Sequence, residues 1–217
     1  MFDRSAHEIL DPRLMTPTKI VCVGRNYLEH ARELGNEVPA EPLIFLKPPS
    51  SVIASGEVIV LPPQSSRVEF EGEIGIVVGE RLRNASEARA VESIGAIVAL
   101  NDVTARDLQR TDNQWTRAKG FDTFCPVGEG ATAQQDLGAL EVVTRVNGAE
   151  RQRGRSAEMA FPIPFLLAYI STIMTLEPGD IVATGTPSGV GPLVPGDVVE
   201  VEVVGLSTVR NPVAGAA

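Results

Sequence analysis

Cysteine is scarce in this chain, positive charge is never clustered and no long apolar run occurs, and each shortage removes a class of function. Two cysteines stand among 217 residues. Cys22 lies in an apolar, strand-like run and Cys125 just before Pro126, neither in a C-x-x-C pair nor beside a histidine, so both read as buried structural thiols without a disulfide framework. The formal net charge is -9 and no Lys/Arg-rich block exists, which argues against nucleic acid or an anionic membrane as partner. The longest apolar stretch, Ile163 to Leu176, is shorter than a spanning helix needs and contains Ser171 and Thr172, so no membrane segment is expected. The opening MFDRSAHEILDPRLM carries acidic residues and no apolar core of signal-peptide length. Sparse cysteine and the missing export signal make a cytoplasmic location the expectation. Internal repeats are absent, and a short Ala/Gly tail at 213–217 is expected to fray.

What is present is organised around EFEGEIG, Glu69 to Gly75, which runs directly into Ile76, Val77 and Val78. In an extended strand Glu69, Glu71 and Glu73 would project from one side as a comb. Neighbours would sit roughly 7 Å apart, and at an effective dielectric near 20 each ionised pair would repel by about 2 kcal/mol. On a surface, water absorbs that repulsion. A strand entering the core instead requires its carboxylates to be paired, protonated or bound to a cation, and a hard divalent ion fits best.

At 43% hydrophobic content the length suits one large domain, read as residues 19–212 after an N-terminal segment of 1–18. A short strand over Lys19 to Gly24 leads into GRNYLEHARELG, where Tyr27 to Leu34 has helical spacing and sets His30 and Glu33 three apart, as neighbours on a helix. IFLKPP delivers Lys47 to the end of a strand stopped by two prolines. Further strands are expected at Val58 to Leu61 and Ile94 to Leu100, with a surface helix between them at Ala85 to Val91. Asp102 follows the second of these, and Asp102 or Thr104 is placed to cap a helix carrying Arg106 and Gln109 on one face. Trp115 to Gly128, with Lys119, is irregular for its length, a common property of functional segments. Asn147-Gly148 signals a two-residue hairpin. Pro162 and Pro164 open a buried helix expected to run through Leu176. The Gly-rich loop Thr186 to Gly191 lacks the lysine of a P-loop and does not open a long helix, so it reads as a tight turn near a ligand rather than a nucleotide site. Many strands and few long helices suggest an α+β, mainly β architecture.

Together, GRNYLEHAREL, FLKP, EGEIG, LNDVTARDLQ, AKGFDTFCPVG, VNGAERQ and GDIVATGTPSGVG, spread over Lys19 to Pro212, closely resemble the fumarylacetoacetate hydrolase family, in particular its short acylpyruvase and oxaloacetate decarboxylase branch. The resemblance implies a mixed β roll with a few short helices and a homodimer. It implies a divalent ion on Glu71, Glu73 and Asp102, with Glu69 at a position that is not usually a ligand. It also implies a catalytic set of His30, Glu33 and Lys119, the first two on a closing helix, and a substrate cavity lined by Arg25, Arg106, Gln109 and Thr186. The residues themselves supply the same metal reading: three carboxylates and no thiolate favour Mg2+ or Mn2+, with Ca2+ left open. Arg25, Lys47, Arg106 and Lys119 are the positive groups that would hold a small anionic 2-oxo acid. The reaction expected first is hydrolysis of an acylpyruvate such as fumarylpyruvate, releasing pyruvate. Decarboxylation of oxaloacetate and isomerisation of a ring-cleavage product are the alternatives within the enzyme reading. A non-catalytic metal or dicarboxylate-binding module is the alternative outside it.

Overall fold

The computed structural model describes residues 17–27, 39–132 and 136–216. The described chain is α+β and mainly β. Its strands are β1 (Ile20–Gly24), β2 (Leu43–Lys47), β3 (Val52–Ile53), β4 (Ile59–Leu61), β5 (Val68–Phe70), β6 (Gly72–Val78), β7 (Ile94–Asn101), β8 (Thr104–Ala105), β9 (Cys125–Pro126), β10 (Ala131–Thr132), β11 (Glu141–Val146), β12 (Ala149–Arg155), β13 (Ile181–Ala183), β14 (Gly191–Pro192), β15 (Val198–Val203) and β16 (Ser207–Gly215). The α-helices are short: α1 (Glu87–Glu92), α2 (Arg106–Thr111), α3 (Thr116–Lys119) and α4 (Ile163–Ile173).

The centre is a six-stranded mixed sheet in the order β10-β7-β6-β13-β1-β2, in which β1 and β13 are parallel and the other pairs antiparallel. Its apolar residues divide by parity. Val21, Val23, Ile97, Ala99 and Val182 join one buried cluster, while Ile20, Cys22, Ala96, Val98, Ile181 and Ala183 join another. Period-2 alternation thus places an apolar set on each face, which is why these strands read as unbroken hydrophobic runs. Helix α4 covers the first face with Ile163, Leu166, Leu167 and Ile170. A second sheet, β12-β11-β15-β16-β4, packs against the same cluster through Val142 of β11 and Val201 and Val203 of β15, and β15 alternates its valines with outward Glu200 and Glu202. The hairpin between β11 and β12 turns on Asn147 (φ 53°) and Gly148 (φ 78°), both in the left-handed region that such a turn requires.

Four expectations need correction. The carboxylate comb is not one strand: Glu69 lies on β5, in a three-stranded sheet with β14 and β8, Glu73 lies on β6 of the central sheet, and Glu71 is the joint between them. Helix α4 stops at Ile173 because Leu176 is drawn into an extended antiparallel bridge with Leu82. Helix α2 starts after Ala105 with no side-chain cap, since the Asp102 carboxylate is engaged elsewhere. The tail does not fray at Val213: Val213, Ala214 and Gly215 pair in parallel with Ile59, Val60 and Leu61, and Val213 is buried.

Candidate active site

The break between β5 and β6 makes the site. Asn101 on β7 pairs with Gly72, and its side-chain oxygen accepts the Glu71 N–H at 3.0 Å, while the Asp102 N–H donates to the Glu71 carbonyl at 2.8 Å. Two chain segments that each change direction are thereby locked together. Glu71, Glu73 and Asp102 each offer an oxygen, all within 4.8 Å of one another, and all three residues are buried.

Cations close round this cluster. Lys119, at the end of α3, donates to Glu71 Oε2 at 2.7 Å and Asp102 Oδ2 at 2.6 Å, and its ammonium lies 5.0 Å from the centre of the Phe45 ring. Burial alone would lower its pKa, but the Asp102 and Glu71 carboxylates outweigh burial and hold it above its ordinary value. Arg106 bridges Glu69 Oε2 at 2.7 Å and Glu71 Oε1 at 2.6 Å, and also donates to Gln109 Oε1. Glu69 is therefore an arginine partner. Lys47 donates to Asp102 Oδ1 at 2.7 Å and to the Val103 carbonyl, so it stands behind Asp102 and outside the cavity wall. Its place argues for supporting Asp102 rather than touching substrate.

Glu73 is the exception. Among the described residues its one hydrogen bond is from the Gly185 N–H at 2.7 Å. Burial first, then repulsion from Asp102 and Glu71, drives its pKa well above the ordinary carboxylate range, against partial relief from Lys119 and Gly185. A hard divalent cation is the group that would remove this cost, and the donors, three carboxylates with no sulfur among them, suit one.

The cluster floors a cavity of about 270 Å³. Arg25, Arg106, Gln109, Lys119 and Thr186 all lie in its wall, with Phe45, Trp115 and Arg110 besides. His30 and Glu33 fall outside the described residues. Arg25 holds a left-handed backbone (φ 60°), which costs a non-glycine residue free energy. Its neighbour Asn26 clamps that turn by donating to the carbonyls of Thr184 and Phe161 and accepting the Phe161 N–H. Arg110 and Phe45 were missed from sequence. Arg110 sits one residue past Gln109 on a helix of six residues, where spacing does not say how far the cavity extends.

The profile of the fumarylacetoacetate hydrolase C-terminal domain matches residues 19–214. The chain belongs to the fumarylacetoacetate hydrolase family. It is 44% identical over 200 residues to the mitochondrial oxaloacetate decarboxylase of Dictyostelium discoideum, covering 89% of this chain and 92% of that one. Identity to oxaloacetate tautomerase FAHD1 of Arabidopsis thaliana is 44% over 199 residues, with 89% of each covered. Among solved structures, the 5-carboxymethyl-2-hydroxymuconate delta-isomerase of Mycobacterium smegmatis superposes with a TM-score of 0.87 at 44% identity, over 94% of this chain and 81% of that one. This is an enzyme family, and the expectation of a family enzyme stands. The names of these relatives are those of a decarboxylase, a tautomerase and an isomerase.

Proposed function

We propose that this family member acts on a 2-oxo acid bearing a second carboxylate, with oxaloacetate as the type substrate, through keto–enol chemistry at the carbon next to the 2-oxo group, completed by tautomerisation or loss of CO2. One observation carries the choice of a dicarboxylate. Arg106 and Lys119 already face carboxylates, whereas Arg25 and Arg110, also in the cavity wall, have no carboxylate partner among the described residues. Two guanidiniums without a carboxylate partner among the described residues, both in the wall of a cavity of about 270 Å³, suit a second carboxylate on the substrate.

Glu71, Glu73 and Asp102 would hold Mg2+ or Mn2+, which supplies Lewis-acid stabilisation of the charge developing on the 2-oxo oxygen. Lys119, its pKa raised, stays an ammonium at neutral pH and stabilises negative charge rather than taking a proton. Phe45 and Trp115, packed edge to face at 5.1 Å, keep water from one side of the cavity. Arg25 and Arg110 orient the far carboxylate. In decarboxylation the electrons of the breaking carbon–carbon bond pass into the 2-oxo group, CO2 departs and the enolate takes a proton to give pyruvate.

Acylpyruvate hydrolysis, the reaction expected first from the sequence, is the second reading. It is favoured by the His30/Glu33 pair, which as general base would activate an attacking water. A panel of oxaloacetate, fumarylpyruvate and acetylpyruvate assayed with Mg2+ or Mn2+ separates the two. Oxaloacetate should turn over fastest, and Arg110→Gln should raise KM roughly tenfold for dicarboxylates, the effect of one lost charge-assisted contact, while sparing acetylpyruvate. Turnover confined to the two acylpyruvates, fumarylpyruvate and acetylpyruvate, would overturn the proposal. In Glu33→Gln, hydrolysis should fall by roughly 100-fold and decarboxylation less.

A further inference from the structure

Strand β12 carries one polar side chain that points inward and is fully buried, Gln152, and it touches neither the cavity nor the carboxylates. It lies opposite Thr144 in the register with β11, just before the pairing slips by one residue at Arg151. Its Oε1 accepts the Gly72 N–H at 3.0 Å, and its Nε2 donates to Thr186 Oγ1 and to the Pro187 carbonyl, both at 2.8 Å. Thr186 Oγ1 in turn donates to the Gly72 carbonyl at 2.9 Å.

These bonds close a ring, and backbone chemistry fixes every direction in it. Gly72 N–H can only donate and Pro187 C=O can only accept, so the amide of Gln152 has one orientation. Thr186 then receives a proton from Gln152, which directs its own hydroxyl proton to Gly72. Both polar groups of Gly72, the residue between Glu71 and Glu73, are held by this ring.

The same loop is pressed onto β12 by contacts that exclude side chains. A Cβ on Gly189 (φ 96°) would stand 2.2 Å from the Arg151 carbonyl oxygen, and one on Gly154 would stand 2.5 Å from Pro187 Cβ. Gly185, which donates to Glu73, belongs to this loop. Gln152 therefore ties the carboxylate turn to the loop that supports Glu73 and presents Thr186 to the cavity.

We infer that Gln152 is a positioning residue of the divalent-ion site: through the Gly72–Thr186 ring it sets the placement of Glu71 relative to Glu73. The inference rests on the reading of these carboxylates as the ion's ligands and is independent of the substrate. Gln152→Met preserves length and bulk while leaving Gly72 N–H and Pro187 C=O unpaired. Calorimetric titration of the purified full chain with MnCl2 should show Mn2+ affinity weakened roughly tenfold or more, the usual scale for losing an outer partner of a ligand, with kcat falling more than KM changes.

Thr186→Val breaks the ring at its other side chain and should weaken Mn2+ comparably, though Thr186 is no candidate ligand. The double variant should lose little more than the worse single one, because both cut the same ring. Should Gln152→Met not fold, Thr186→Val carries the test with the same expected result. Unchanged Mn2+ affinity in either folded variant, even with a lowered melting temperature, would overturn the positioning role. A wild-type chain that binds no Mn2+ would overturn the ion-site reading and the inference together, whereas a failure to turn over oxaloacetate would touch only the proposed substrate.

Discussion

Asp180 and Glu73 are both buried carboxylates close to the central sheet, yet their surroundings are opposite. Asp180 accepts from the Thr18 N–H at 2.9 Å, the Thr18 hydroxyl at 2.7 Å, the Lys19 N–H at 3.1 Å and the Glu177 N–H at 2.8 Å, and it pairs with the Lys19 ammonium. Burial raises its pKa, but these donors prevail and hold it below the ordinary value. Among the described residues Glu73 has one backbone donor and two carboxylate neighbours, and its pKa goes up. Saturation with donors marks a carboxylate that serves the fold by joining Thr18 and Lys19 to the end of β13. Under-satisfaction is what a carboxylate reserved for a cation would show, because a buried charge without compensation is costly to keep.

The two carboxylates should differ most in what they do for the ion. Glu73→Gln should abolish measurable Mn2+ binding and turnover, as should Glu71→Ala and Asp102→Ala. Metal-free Glu73→Gln should be no less stable than wild type at pH 7. A carboxyl whose folded pKa is raised destabilises the fold as pH climbs above its unfolded value near 4.5, and the amide removes that cost. Denaturant unfolding in EDTA checks it, and a clear loss of stability would show that Glu73 is structural after all.

Asp180→Asn should do the reverse, leaving Mn2+ affinity intact and costing about 2 kcal/mol, the scale of a hydrogen bond to a charged group. Its folded pKa lies below the unfolded one, so the stability it confers is present above about pH 4 and disappears as pH falls through the folded value. Acid unfolding curves of wild type and variant should therefore converge at low pH.

Gly72→Ala should destabilise by about 2 kcal/mol, since the new Cβ would lie 1.9 Å from Thr144 Oγ1. Thr144→Ala in the same chain should return part of that loss. Alone, Thr144→Ala should change stability by less than about 1 kcal/mol, because its hydroxyl is buried without a hydrogen-bond partner among the described residues. Thermal melts of the three variants measure the coupling.

The carboxylates and the hairpin were legible because their signals are local. Glu71 and Glu73 are two apart, Asp102 ends a visibly apolar strand, and Asn147-Gly148 is a turn in its own right. Where β5 gives way to β6 was not legible, since alternation continues through Glu71 while the hydrogen-bonding partners change from β8 and β14 to β7 and β13. Lys47 was visible as a cation at a strand end, but its partner Asp102 is 55 residues on. Gln152 was hidden by its company: AERQRGR reads as a solvated strand, and only the register with Thr144 turns that one residue inward.

The parallel pairing of Val213–Gly215 with Ile59–Leu61 bears on how the molecule is made. Parallel partners separated by most of the chain cannot meet early, and such contacts slow folding. During synthesis β4 leaves the ribosome long before β16, and Ile59, fully buried in the finished molecule, lacks its strand partner Val213 until β16 arrives. The five-stranded sheet is thus completed only once β16 has been made, and a nascent chain stalled before Val213 would present β4 as a bare edge to chaperones or to another copy of itself.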